Sequence, residues 1–468
     1  MEHLILDINH NLTPYEILSY FSSELFYLFG FILNLFLFVF FRAKRATKRI
    51  SDILTTSLLL IGSGICASTL FQGVDYYKNF SFDIVGSLFT SDINTMSAKL
   101  VVNIFLLFFS LIVYKIIRKT RIKVPFLNAI LMLIALFGSL VTQSSSCIFT
   151  FLLLEIVVIL IYKYASNMQI EKFHTFSKDF IITNIISSVL FFSFLISVYL
   201  LKNNDINGIL YTGMTIAYLL KIGIFPLFNY TVNKHNKANL PYAILLFTFL
   251  PLLGVMSFDK ITQKISIHNE IYQISMIIFL CLTILSMALF IIKQKNLVKL
   301  LAGISYSYGA FCIINLLFLG SYNSTIKLYS YICFAILGLY SLLCVIQINT
   351  NANKINRNKL KNMFANNKTF ARLLLFLFLL ICGILPSGIT KENIAIIKNI
   401  YLFDKITLYF LFAILSTYSA LIINSIKTIQ ICYSFDKVAP LIEYTKRTTI
   451  NYVVPFAIII FLIIGIIL

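Results

Sequence analysis

The chain has 468 residues, of which 59% are hydrophobic and only 12% are charged. That composition excludes a soluble protein folded around one core. The formal net charge of +20 is not a nucleic-acid signal, because the basic residues are not gathered on one soluble face.

The first sixteen residues, MEHLILDINHNLTPYE, carry acids and no basic n-region, so they are expected to be neither a signal nor a transit peptide. Beyond them, apolar runs long enough to cross about 30 Å of hydrocarbon follow one another almost to the end. About fourteen are predicted as transmembrane helices: 19–41, 51–71, 98–117, 124–142, 146–165, 178–201, 208–232, 240–258, 270–292, 297–320, 325–348, 370–395, 405–427 and 450–468. The stretches between them hold at most about thirty residues. The prediction is therefore an all-α polytopic membrane protein, a single integral membrane domain over 1–468 without a globular catalytic domain. The bilayer is its first partner, and nucleic acid is not one.

Lys and Arg concentrate in alternate loops, among them AKRATKR (43–49), RKTRIK (118–123), NKHNK (233–237), KQKNLVK (293–299) and KVAPLIEYTKR (437–447). The intervening loops hold most of the aspartates, such as Asp75, Asp83, Asp92 and Asp205. By the positive-inside rule the basic loops face the cytoplasm or a mitochondrial matrix, and both termini lie opposite. Topology alone accounts for Lys293, Lys295 and Lys299, and His235 reads as a solvated loop residue. The cysteines at 66, 147, 281, 312, 333, 344, 382 and 432 show neither CxxC nor ligand spacing, so they read as packing residues rather than a metal or iron–sulfur site.

Two runs carry an ionisable residue near mid-span. Glu155 sits at the centre of IFTFLLLEIVVILIYKY (148–164), and Lys221 precedes Pro226 in GILYTGMTIAYLLKIGIFPLFNY (208–230). A charge at the bilayer centre costs about 2.5–3.5 kcal/mol on insertion scales, so such residues face a protein interior or a water path. Glu155 reads either as a buried acid bonded to a neighbouring helix or as a titratable group. Lys221 is that or a snorkelling lysine, and an acid and a base of this kind are expected within reach of one another. A second break follows in LLLFLFLLICGILPSGITKENIAIIKNIYLF (373–403), where Gly383, Pro386 and Gly388 interrupt the helix ahead of Lys391. Lys391 stands beside Glu392, which offers a local pair. Lys178, next to Asp179, opens its span and also suits an interface anchor. Broken helices in corresponding places hint at an internal inverted repeat.

These residues, in this order, resemble the antiporter-like membrane subunits of respiratory complex I, and within that family the subunit-N type. LNAILMLIALFGSLVTQSSSCIFTFLLLEIVVILIYKYAS (127–166) is similar to the family's paired helices, the second carrying its Glu. AYLLKIGIFPLFNY (217–230) resembles its broken helix with a Lys before the proline. QKNLVKLLAGISYSYGAF (294–311), LYSYICFAILGLYSLL (328–343) and LLLFLFLLICGILPSGITKENIAII (373–397) resemble the segments that follow. The resemblance covers about 125 to 435, and SSELFYLFGFILNL echoes the family's opening helix.

The resemblance implies two inverted five-helix repeats, at 124–258 with its break near Pro226 and at 270–427 with its break near Pro386. It implies proton translocation coupled to NADH oxidation and quinone reduction elsewhere in the complex, with Glu155, Lys221, Lys178 and Lys391 on the proton path. Lys178 lies ahead of the match to the family's Ser-Ser, Ser187 and Ser188. The implied partners are the other membrane-arm subunits, in the inner membrane of a bacterium or of a mitochondrion. This chain itself binds no cofactor on that reading; NADH, FMN, iron–sulfur clusters and quinone belong to other subunits. A cation/proton antiporter subunit of the Mrp type is the alternative, and a lipid-linked sugar flippase a more distant one.

The chain also departs from the family pattern. Phe228 stands where the family keeps a His, Pro251 where it keeps a central Lys, Gly303 where a Tyr is usual and Tyr308 where a His follows. Pro251 predicts a kink near Phe247, one turn upstream. Tyr308, Ser305, Thr248 and bound water are then the polar groups left for a central relay.

Overall fold

Helices and closed barrels are the regular structures that satisfy their backbone without water, and among the described residues the predicted runs form helices; most of the run 405–427 lies outside the described residues. A computed structural model of the protein describes residues 21–41, 45–77, 82–84, 88–117, 124–167, 173–201, 204–224, 240–262, 270–319, 322–350, 360, 367–401, 418–423, 425–431 and 453–464. In chain order the helices are α1 (Ser22–Phe40), α2 (Arg45–Tyr77), α3 (Ile93–Ile117), α4 (Val124–Gln143), α5 (Cys147–Asn167), α6 (Phe173–Leu201) and α7 (Asn204–Ile222). After them come α8 (Leu240–Ile244), α9 (Leu250–Met256), α10 (Phe258–Thr262), α11 (Glu270–Lys293), α12 (Leu297–Leu319) and α13 (Tyr322–Thr350). The last are α14 (Lys368–Ile381), α15 (Gly388–Tyr401) and α16 (Val453–Ile464). Among the described residues, nine helices are long and apolar enough to cross a membrane.

Among the described residues, the exception to the all-α architecture is a small antiparallel hairpin, β1 (Phe82–Ile84) against β2 (Phe89–Ser91), paired with Phe82 opposite Ser91. It lies in the polar stretch between α2 and α3. Its tip docks on the turn between α4 and α5, where Ser145 N donates to Leu88 O at 3.0 Å.

Burial grades from the centre outward. α12 and α13 are buried over their whole apolar windows, whereas α1 and α6 expose Phe29, Ile32, Ile185 and Val189. Helices apolar all round belong at the centre of a bundle, and outward apolar surface suits contact with lipid. α6 and α7 pack as an antiparallel pair, and α4 lies against both α1 and α5.

The predicted kink takes a specific form. Between α8 and α9 the helix widens into one π turn, Leu245–Phe249, closed by Leu250 N donating to Leu245 O. Pro251 has no N–H to give Phe247 O, so the turn accommodates the missing bond by slipping its register. Pro251 itself is buried in protein.

Candidate functional site

α7 ends at Gly223, three residues before Pro226. Gly223 adopts φ +86°, and the chain closes with Gly223 N on Leu220 O (3.3 Å) and Ile224 N on Leu219 O (2.9 Å). That is a Schellman ending, and it satisfies two of the helix's orphan carbonyls. Lys221 is thereby fixed in the last turn, where the negative end of the helix dipole favours an ammonium. Pro226 and Phe228 lie outside the described residues.

The Lys221 side chain is fully buried, and its Nζ donates to Glu155 Oε1 on α5. The same carboxylate oxygen accepts from Ser188 Oγ on α6, and Lys221 Nζ also reaches Ser188 Oγ at 3.2 Å. The Glu155 side chain is 23% exposed, on the same face of α5 as the exposed Leu152 and Ile159, whereas the Lys221 side chain is sealed.

Aromatic packing holds this geometry. Phe151, one turn before Glu155, lies under the ammonium at 4.2 Å from Nζ to the ring centroid. It also stacks on Phe191 at 3.8 Å and 6° and meets Phe192 edge-on at 5.6 Å. Phe191 is three residues from Ser188, so α5 and α6 each present one aromatic and one polar group at helical spacing. Ser187 Oγ donates to Ala217 O at 2.9 Å and ties α6 to the turn that precedes Lys221. The Ser187–Ser188 pair thus serves twice, once on backbone and once on the ion pair.

The end of α14 repeats that of α7. Gly383 has φ +67°, with Gly383 N on Leu380 O (3.0 Å) and Ile384 N on Leu379 O (3.1 Å). The chain restarts at Gly388, capped by Ser387, whose N–H donates to Thr390 Oγ1 at 2.7 Å. The residue in the register of Lys221 is Ile381, and its freed carbonyl accepts from Tyr308 Oη at 2.8 Å.

Lys391 lies past this break on α15, with its side chain exposed, while Glu392 beside it is buried. Lys178 falls on α6, and its side chain lies outside the described residues. The structure therefore joins Glu155, Lys221 and Ser188 in one cluster.

Of the groups expected in a central relay, Ser305 Oγ bonds Tyr329 Oη at 3.2 Å, and Tyr308 is committed to Ile381 O. Thr248, in the π turn, has a buried hydroxyl with no hydrogen-bond partner. Gly303 brings α12 close to α11, since a Cβ there would stand 3.0 Å from Ile291.

Several buried ionisable residues were not expected from sequence. Lys299, explained above by topology, is 5% exposed. Glu24 and Lys99 form a buried ion pair at 2.8 Å. The signal for that pair was a lysine seven residues into α3 and an acid three into α1, both readable as helix-end residues.

No family model and no curated protein matches this sequence. Solved structures match its fold. A chain of the respiratory complex I from Thermus thermophilus with bound aureothin is similar at TM-score 0.75 and 10% identity, over 95% of this chain and 97% of that one. A chain of the respiratory complex I from Thermus thermophilus with bound NADH is similar at TM-score 0.71 and 13% identity, over 95% of each. At such identities the likeness is one of fold, nearly end to end. The chain is a multi-pass membrane protein with the fold of a respiratory complex I chain.

Proposed function

We propose that this chain is a proton-translocating membrane-arm subunit of a respiratory NADH–quinone oxidoreductase, of the subunit-N type. Redox chemistry and its cofactors, NADH, FMN, iron–sulfur clusters and quinone, reside in partner subunits. The host membrane is a bacterial inner membrane or the mitochondrial inner membrane. The observation that carries the reading is the Glu155–Lys221–Ser188 cluster, an acid and a base bonded together beside a broken helix, in a fold shared with complex I chains.

The pair can move a proton because its two ends differ in access. Glu155, partly open, takes up a proton and loses its charge. Lys221, sealed behind Phe151 and no longer facing a carboxylate, then releases its own proton inward and is restored by the one on Glu155. Ser188 keeps both partners within hydrogen-bond reach through the cycle. Lys178 and Lys391 extend the path on either side, and the two Gly-Ile-x-Pro breaks mark the two repeats, 124–258 and 270–427.

Glu155→Gln in the assembled complex tests this. Glutamine keeps the volume and cannot carry the proton, so proton flux into reconstituted vesicles should fall severalfold while assembly is retained. Wild-type flux in the variant would remove Glu155 from the path. Flux driven by a sodium gradient, without NADH and quinone, would assign the same pair to an antiporter of the Mrp type.

A further inference from the structure

α1 is built with its polar residues inward. It exposes Leu25, Phe29 and Ile32, and it buries Ser23, Glu24, Tyr27, Gly30 and Asn34. In a helix this apolar, burying the polar face means that the neighbours supply polar partners.

On the side opposite the basic loops, Glu24 Oε2 accepts from Lys99 Nζ on α3 and from Ser23 Oγ, each at 2.8 Å. The pair is almost sealed, with side chains 6% and 2% exposed. One turn further along α3, Asn103 Nδ2 donates to Cys66 Sγ on α2 at 3.2 Å. Tyr27 points its hydroxyl at the α2 backbone, where a Cβ on Gly62 would stand 2.4 Å from the phenol oxygen.

About 15 Å along α1 from Glu24, Asn34 takes over. It accepts from Ser51 Oγ at 2.6 Å and donates to Thr55 Oγ1 at 3.2 Å. Asn128 on α4 donates to Ser51 Oγ at 2.9 Å and to Asp52 Oδ1 at 3.0 Å. Ser51 and Asp52 stand about two turns into α2, directly after the basic segment 43–49. Polar groups thus line α1 from one side of the bundle to the other.

Three buried oxygens on this line have no hydrogen-bond partner: Glu24 Oε1, Tyr27 Oη and Asn103 Oδ1. Buried polar atoms of native proteins are satisfied by protein or by water, so orphans in sequence along one seam mark water positions.

We propose that this seam is a second proton path, with Glu24 and Lys99 as its acid–base pair. It uses α1 to α4, whereas Glu155, Ser188 and Lys221 lie on α5, α6 and α7. Lys99 gives its proton to Glu24, leaving a neutral amine beside a carboxylic acid. Glu24 releases that proton to water on its own side, opposite the basic loops. Lys99 takes a proton from the water beside Asn103, which restores carboxylate and ammonium, and one proton has moved outward. The proposal rests on the reading of the chain as a proton carrier but not on the role of Glu155.

The test compares Glu24→Gln, the charge-balanced double variant Glu24→Gln/Lys99→Met and Glu155→Gln. Each is assembled in the full complex and assayed for thermal stability and for proton flux into vesicles. Glu24→Gln takes the carboxylate away from a buried lysine and should lower stability as well as flux, at least threefold for the latter. The double variant should regain stability and still lack the flux. If flux returns with stability, the pair is a structural pin and the proposal falls; unchanged flux in Glu24→Gln overturns it too. Flux lost in Glu155→Gln but kept in the double variant rejects the seam and leaves the other path standing. The reverse pattern supports the seam and rejects Glu155. A wild-type complex that moves no protons removes both.

Discussion

Gly223 and Gly383 end their helices in the same way, each in the left-handed region and each followed by Ile and, three residues on, by proline. They differ in what stands next to them. A Cβ at Gly223 would lie 2.7 Å from the Tyr306 ring, whereas one at Gly383 would meet nothing nearer than 3.5 Å. Strain from a positive φ costs an L-residue about 1–2 kcal/mol. Gly383→Ala should therefore lose about that much stability, and Gly223→Ala clearly more, because Tyr306 has to give way as well. Thermal unfolding of the two variants in detergent checks the order. Equal losses would mean that Tyr306 moves freely.

Ser188 bridges acid and base, so Ser188→Ala should keep the ion pair and loosen its geometry. A hydrogen bond of this kind contributes about 1.5–3 kcal/mol when one partner is charged. Proton flux should fall by a factor of about five or more, with a shifted pH profile and little change in melting temperature. An unaltered pH profile would make Ser188 a packing residue only.

Pro251 is buried beside the π turn, not turned outward. A lysine there should therefore let the chain insert normally, because it avoids the about 2.5–3.5 kcal/mol of a charge held in lipid. Overpacking should lower stability by about 1–3 kcal/mol. Near the orphan hydroxyl of Thr248 the new amine should hold or raise proton flux. Protease accessibility of the loops reads insertion, and failure to insert would place residue 251 against lipid.

Asp259 lies beyond the end of α9, on the side opposite the basic loops. Burial pushes its carboxyl from 3.8 up to about 6, with Lys260 opposing the shift and Asp92 adding to it. The folded state then holds its proton more tightly than the unfolded chain, so stability falls as pH rises from about 4 to 6 and is level above. Asp259→Asn should flatten this slope and raise the melting temperature at neutral pH. Melting curves at pH 4, 5, 6 and 7 measure it, and a slope that survives the substitution would assign it to another group.

The helices and the Glu155–Lys221 contact were legible because their signals are local and strong. A charge in the middle of an apolar run has few physical solutions, and a proline ahead of it narrows them further. The kink was legible for the same reason, although its form as a π turn depends on how neighbours fill the space around Phe247. The Glu24–Lys99 pair was not legible. Each residue lies near a helix end, where a charge costs little, and only three-dimensional packing shows that both are sealed. The correspondence of KIGIFP with ICGILP was in the sequence all along. It shows that the second break carries Ile381 where the first carries Lys221. Lys391, by contrast, sits on the far limb of its break and is exposed, which its neighbourhood in sequence could not reveal.

The inward polar face of α1 has a consequence for how the protein is made. Glu24 finds its partner 75 residues later in the chain. At about 5–20 residues per second, α1 waits roughly 4–15 s for Lys99 to be synthesised. During that interval its acid must be sheltered by the insertion machinery, by water at the membrane surface or by protonation. The first three helices are thus expected to leave the translocon together, as one preassembled unit.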